Sequence, residues 1–252
     1  CGGKVTIEVA EKLVPLVTWS YPWATVKTCG PVYCVDRPEY LDFDYQVPLF
    51  SLAKVLRPTL DDYYAKQKCW IPRQTDLENM FRKVIGVEEG EVLIGICWRS
   101  SLQTLQRSIH YLEPIDLFPL TDLPNTKFVC LQYDRCEEEV ETIRKIGVPL
   151  FHFANLDQKD DLANTTGLIG ACDIVISVGT AVAELSGAIG VPTVLVKWPG
   201  GLTTMGTDHI PWNPSTMILP MSKENRPYVI AEFVKHYPDI LGWAGQASTS
   251  NR

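Results

Sequence analysis

The chain has 252 residues, 46% of them hydrophobic and 21% charged, and carries a net charge of −7. That length suits one large domain or two smaller ones, with ample material for a core. The acidic balance excludes an extended nucleic-acid groove, which needs clustered Lys and Arg, yet permits a small anion held by a few local donors. In chain order, residues 5–9 read as a strand, 11–19 as a helix and 24–27 as a short strand. Residues 44–52 are apolar without a clear period, 73–85 read as a helix joining two halves, and 86–90 (Gly-Val-Glu-Glu-Gly) as a linker.

From there strand and helix signals alternate. Residues 92–98 form a continuous apolar run, as a strand buried on both faces requires. Residues 112–120 follow as a helix with prolines at 114 and 119, then 127–132 as a strand. A helix at 136–146, with Val140, Ile143 and Ile146 at spacings of three, stops at Gly147. Strands at 149–153, 173–178, 191–196 and 216–220 alternate with helices at 160–171, 180–189 and 227–237. Strands alternating with helices of about ten residues imply parallel βαβ units, and right-handed crossovers make a doubly wound, Rossmann-like parallel sheet the economical topology. The expected organisation is a partial, smaller N-terminal α/β region with its linker helix (1–86), a Rossmann-like domain (87–245) and a disordered tail (246–252). The chain opens Cys1-Gly2-Gly3-Lys4 rather than with Met, which reads as a fragment.

The eight cysteines show no CxxC pair, so no zinc ribbon or redox motif is visible. Cys97, Cys130 and Cys172 lie in or beside apolar runs, where free cysteine acts as a small hydrophobe, and a reduced, cytoplasmic protein is expected. No run approaches the roughly 18 apolar residues of a membrane span. His110, His152, His209 and His236 are dispersed without metal-binding spacing, so no metal site is expected. The Asn164-Thr165-Thr166 sequon falls in a predicted helix and reads as coincidence. The acidic run at 137–141 reads as a solvated helix face.

The segment Asp173-Ile-Val-Ile-Ser-Val-Gly179-Thr180-Ala-Val-Ala-Glu184-Leu-Ser-Gly187 carries the most chemistry. A buried strand ends at Gly179 and a helix begins at Thr180 with almost no loop. The first turn of a helix offers unpaired N–H groups and a partial positive charge, which suit a phosphate or diphosphate. Gly179 removes a side chain where a ligand approaches, Thr180 caps the helix or donates to the ligand, and Glu184 lies one turn on, within reach of sugar hydroxyls. The plainer alternative is an ordinary strand-to-helix corner, with Thr180 only a cap and Glu184 in solvent.

This segment resembles the "DTAVAHLAGALGKPVW" signature of glycosyltransferases found at the end of tetratricopeptide-repeat proteins, relatives of the bacterial heptosyltransferases with the two-domain B architecture. Gly95-Ile96-Cys97-Trp98 with Arg107-Ser108-Ile109 is similar to that family's opening. So are Phe128-Val129-Cys130-Leu131-Gln132 to its "FVSLQ", Asn164–Ile169 to its "DTAALI", and Pro211-Trp212-Asn213-Pro214 to its "WYP". Residues 5–16 and 44–52 resemble parts of its first domain. The resemblance implies transfer of a hexosyl- or heptosyl-type sugar from a nucleotide-diphosphate donor to an unidentified acceptor hydroxyl, with no further cofactor. The diphosphate would rest near Gly179, Thr180 and Ala181. Arg99 and Arg107 would supply cations, and Gln132 would meet the base or ribose. Trp212 and His209 are weaker candidates, read as core and surface respectively.

The family's general base lies in an early part of the first domain that this chain lacks, so no base is assigned and the chain alone is expected to show little or no transferase activity. Tetratricopeptide repeats are the partners the resemblance implies in a full-length protein. Gly179 stands where the family has Asp, and Glu184 where it has His. Those departures keep a second reading open: a degenerate, noncatalytic binding or scaffold module. A sugar-nucleotide epimerase is a third, disfavoured by the lack of acid clusters.

Overall fold

The computed structural model describes residues 3–30, 42–64 and 69–250. Contacts divide the chain into two units, residues 1–67 and 68–252. In the first, β1 (Thr6–Val9) leads through a 3-10 turn (Glu11–Leu13) and α1 (Val14–Ser20) to β2 (Thr25–Thr28). The two strands pair in parallel, Thr6 opposite Thr25 and Val9 opposite Thr28, which makes one βαβ unit. Pro15 sits in the first turn of α1, where a missing N–H costs nothing. The stretch 44–52, without a period, turns helical only near its end: α2 (Leu49–Leu56) starts after Pro48, and α3 (Leu60–Tyr64) follows.

The second unit opens with α4 (Thr75–Ile85), which Gly86 closes in the left-handed conformation at φ +75°. After it come β3 (Val92–Cys97), α5 (Leu105–Ser108), a 3-10 helix (Pro114–Asp122), β4 (Thr126–Cys130) and α6 (Glu137–Lys145). These lead to β5 (Leu150–Phe151), α7 (Leu162–Ala171), β6 (Ile174–Val178), α8 (Ala181–Ala188), β7 (Thr193–Lys197) and β8 (Thr216–Pro220). The unit ends on α9 (Val229–Lys235) and α10 (Tyr237–Ser250). Six strands form one sheet in the order β5-β4-β3-β6-β7-β8, every neighbouring pair parallel. This is the Rossmann-like α/β architecture that the alternation predicts, in the order 3-2-1-4-5-6 within the unit.

Alternation along each strand divides the core between two helical layers. Ile94, Ile96 and Trp98 face a layer built by the 3-10 helix, α6, α9 and α10, through Leu117, Val140, Ile143, Phe233 and Ile240. Leu93, Cys97, Val129 and Leu131 face α4, α7 and α8, through Phe81, Leu168, Ile169 and Val182. Gly95 allows the second layer its close approach: a Cβ there would lie 2.4 Å from Leu131 Cδ1 and 2.9 Å from Cys172 Sγ. The boundary read from the sequence at residues 86/87 falls inside this unit, because Phe81 and Ile85 of α4 are buried in its core.

Three stretches differ from the sequence expectation. Residues 114–122 form a 3-10 rather than an α-helix, since Pro119 has no N–H to continue an α ladder; Glu113 and Asp116 cap its start. The strand expected at 149–153 shortens to Leu150–Phe151 at the sheet edge. The last difference is at the C-terminus, where the helix expected to end at 237 is followed by another, and the supposed tail is helical to Ser250. Pro238 occupies the first turn of α10, and burial of Tyr237, Ile240 and Ala244 outweighs the roughly 1 kcal/mol that each of Gly242 and Gly245 costs a helix. Residues 251–252 lie outside the described residues.

Candidate functional site

β3 and β6 are neighbours, but the chain leaves β3 toward β4 on one side and leaves β6 toward β7 on the other. In doubly wound sheets such diverging connections mark the place, beyond the carboxyl ends of the strands, where ligands are held. Cys97 of β3 is in register with Ser177 of β6, and Val178 with Val196 of β7. Continued two residues past the first pair and one past the second, these registers bring Gly179 level with Arg99 on the β3 side and with Lys197 on the β7 side. The candidate corner is thus at the switch point of the sheet.

Thr180 caps α8 in extended backbone (φ −133°, ψ 174°), its Oγ1 accepting the Val182 N–H at 3.3 Å. The same hydroxyl lies 3.1 Å from Ser177 Oγ and 3.5 Å from Cys97 Sγ. Glu184 N–H begins the helical ladder by donating to Thr180 carbonyl. The N–H groups of Thr180, Ala181 and Ala183 precede that ladder and have no helical acceptor. Gly179 and Ala181 are exposed, and a Cβ on Gly179 would meet nothing within 4 Å. The corner is open, and its unused donors are backbone amides rather than the Thr180 hydroxyl. Cys97 forms part of the floor; burial pushes its thiol up to about 11, which leaves it protonated and unreactive near neutrality.

Arg99 and Gln132 come to the same edge but are engaged there. Arg99 is 5% exposed; its guanidinium makes a two-pronged contact with Glu139 and donates to Asp134 Oδ2 at 2.6 Å. Those carboxylates raise its already high pKa further. One cation against two acids leaves a local charge of −1, poor footing for a phosphate. Gln132 donates to Asp134 Oδ1 at 2.7 Å and accepts from the Arg99 N–H at 3.3 Å. Together they fasten the β4–α6 turn to the end of β3. Glu139 also accepts from Trp98 Nε1 at 3.2 Å, so this member of the acidic run is a tether, while Glu137, Glu138 and Glu141 are exposed as expected.

Arg107 is exposed on α5, in the connection leaving β3, with no carboxylate at ion-pair distance among the described residues. Glu184 is exposed, and its Oε2 accepts from Trp212 Nε1 and Asn213 Nδ2, each at 3.4 Å. It therefore anchors the 211–214 loop beside α8. Gly187 admits that loop, since a Cβ there would fall 2.5 Å from the Asn213 side chain. Trp212 packs, partly buried, against Ala183, Leu195 and Ile210. His209 is half-buried and pairs with its exposed neighbour Asp208 at 2.8 Å. Asn164, in the sequon, lies within α7 with its amide donating to Asp161 at 2.6 Å, and Thr165 and Thr166 are buried.

Lys197 is the cation that sequence reasoning passed over. It ends β7, its ammonium donates to the Gly200 carbonyl, and no carboxylate pairs with it among the described residues. Burial lowers its pKa from the usual lysine value. The signal was present in the sequence, as a lone Lys closing an apolar strand next to Trp-Pro-Gly-Gly. At the opposite edge of the sheet, a cavity of about 840 Å³ is lined by Arg73, Glu78, Arg82, Asp173 and residues of α10. It lies at the amino ends of the strands, away from the switch point.

No family model matches the chain. Protein FlbA of Caulobacter vibrioides is 26% identical over 223 residues, which cover 84% of this chain and 37% of that protein, so the chain spans little more than a third of its relative. A family 9 glycosyltransferase from Veillonella parvula superposes with a TM-score of 0.50 at 13% identity, over 68% of this chain and 53% of that one. The ADP-heptose lipopolysaccharide heptosyltransferase II of E. coli gives a TM-score of 0.47 at 11% identity, over 67% and 54%. The chain thus has a glycosyltransferase-like α/β fold. Among the described residues, no helix is long and apolar enough to cross a membrane.

Proposed function

We propose that the second unit is the donor-binding side of a glycosyltransferase and that it takes a nucleotide-diphosphate sugar at the carboxyl edge of its sheet. One observation carries this: the open Gly179–Ala181 corner at the switch point, with N–H groups that have no helical acceptor, on the strand next to the one that ends in Lys197. In this reading the diphosphate accepts from the amides of Thr180, Ala181 and Ala183, aligned with the positive end of α8. Lys197 and Arg107 supply the countercharge that Arg99, already neutralised, does not. As the sugar leaves, charge builds on the diphosphate, and fixed amides stabilise it without reorganising.

Isothermal titration with ADP, GDP and UDP tests the reading. One of them binds saturably to the wild-type chain, and Lys197→Ala and Arg107→Ala each weaken it about tenfold, equivalent to about 1.4 kcal/mol. Absence of binding by all three, or affinity untouched by both substitutions, removes the donor site.

A second reading rests on the acids. With Arg99 held by Asp134 and Glu139, and Glu184 committed to Trp212 and Asn213, no carboxylate described around the corner stands free to act as a base. A noncatalytic module that keeps the fold and its nucleotide affinity fits those contacts. Nucleotide binding without sugar transfer or donor hydrolysis favours it.

A further inference from the structure

Beside the crevice, three elements bring together side chains that the nucleotide site does not use. Cys130 ends β4, Cys136 is the N-cap of α6, and His152 follows β5. Cys136 Sγ lies 3.9 Å from Cys130 Sγ and 3.9 Å from His152 Nε2, and all three ligand atoms fall within 4.8 Å of one another. Both cysteines are buried and the histidine is half-buried, so the cluster has a dry floor and one open side. A tetrahedral zinc ion, with Zn–S of about 2.3 Å and Zn–N of about 2.0 Å, holds its ligand atoms about 3.5–3.8 Å apart. Two of the three spacings already come within a few tenths of an ångström of that.

We infer that Cys130, Cys136 and His152 form a binding site for a thiophilic metal ion, zinc(II) being the species that the ligand set and spacing suit best. Two sulfurs and an imidazole select zinc or copper(I) over magnesium or calcium, which take oxygen. On binding, both thiols ionise and their protons pass to solvent; the two thiolates cancel the dication, so a buried centre carries no net charge. The fourth position faces the open side. Water would complete the tetrahedron there and leave the charge balance unchanged.

The ion would do structural work at a distance from the donor site. The turn from residue 131 to 135 would be clamped at both ends by its flanking cysteines. That turn carries Gln132 and Asp134, which hold Arg99 at the end of β3. A metal at this cluster therefore stiffens one rim of the crevice, whatever ligand the crevice takes.

The test uses the full chain, reduced and freed of metal, titrated with zinc chloride and separately with cobalt(II) chloride. The expected result is one equivalent bound, a thiolate-to-cobalt charge-transfer absorption band, and a Tm raised by about 5 °C at saturating zinc. Cys136→Ser and His152→Gln both lose the band and the zinc-dependent rise. His152→Gln changes only a half-buried edge residue, so it separates lost ligation from lost folding. Failure of the reduced wild-type chain to take up either metal overturns the inference, as does uptake undiminished in both variants. A Cys130–Cys136 disulfide found by peptide mapping, with no zinc bound after its reduction, also overturns it and reassigns the pair to redox chemistry.

Discussion

The two edges of the six-stranded sheet hold their cations in opposite ways. At the amino edge a roomy cavity is walled by arginines that are each neutralised, Arg73 by Glu78 at 2.7 Å and Arg82 by Asp173 at 3.0 Å. Its polar groups are spent on fastening α4 to the sheet: Arg82 also donates to the Ala171 carbonyl, and Asp173 accepts the Leu93 N–H. The carboxyl edge offers an exposed corner, and there the helix amides and Lys197 keep capacity to bind. Volume is the usual first guide to a site. In this molecule unspent charge and unspent donors point elsewhere, and they are what an anion recognises.

The carboxyl edge itself repeats the contrast, with Arg99 spent and Lys197 not, and the sharpest way to break the comparison is to remove Arg99. Arg99→Met strands two carboxylates against each other and is expected to cost about 3 kcal/mol, a fall of roughly 6–12 °C in Tm by thermal unfolding. An unchanged Tm with lost nucleotide binding would make Arg99 a ligand cation instead. Next in size, Asp173→Ala removes the acceptor of Leu93 N–H and the partner of Arg82. A loss of about 1–2 kcal/mol is expected in a denaturant melt, with nucleoside diphosphate affinity unaltered. Weakened affinity would move the ligand to the amino edge.

The smallest effect is one of pH. Protonated Lys197 attracts the diphosphate, and burial lowers its pKa, so its charge is lost as pH rises and sooner than for an ordinary lysine. Affinity should fall as pH climbs through that depressed value, by about tenfold or less, and Lys197→Ala should flatten the alkaline limb. A limb that survives the substitution would exclude Lys197 from the contact.

Much of the architecture was legible because it is written in local periods. Residues 92–98, 173–178 and 191–196 are short, mainly apolar and rich in β-branched residues, as doubly buried strands should be, and Thr216–Pro220 was bounded to the residue. The open corner at Gly179 was legible too, from a strand that runs into a helix with no loop. What escaped depends on contacts far apart in the chain. Nothing local told Glu139 from its exposed neighbours; it is set apart by Arg99, forty residues earlier. The spacing of Cys130, Cys136 and His152 matches no linear motif, because β5 returns the histidine to the cysteines through the sheet rather than along the chain. Glycines at 242 and 245 hid α10, whose stability comes from packing rather than propensity.

The Thr180 hydroxyl, turned inward to Val182, Ser177 and Cys97, has an evolutionary corollary. If recognition at this corner is left to peptide nitrogens, it has no letter in the sequence to conserve. Neighbouring positions such as 179 and 184 can then drift in identity while the grip survives, provided the bend of the main chain does. A scan that swaps side chains one at a time would pass over such a site, whereas a proline or an insertion in the opening turn of α8 would find it.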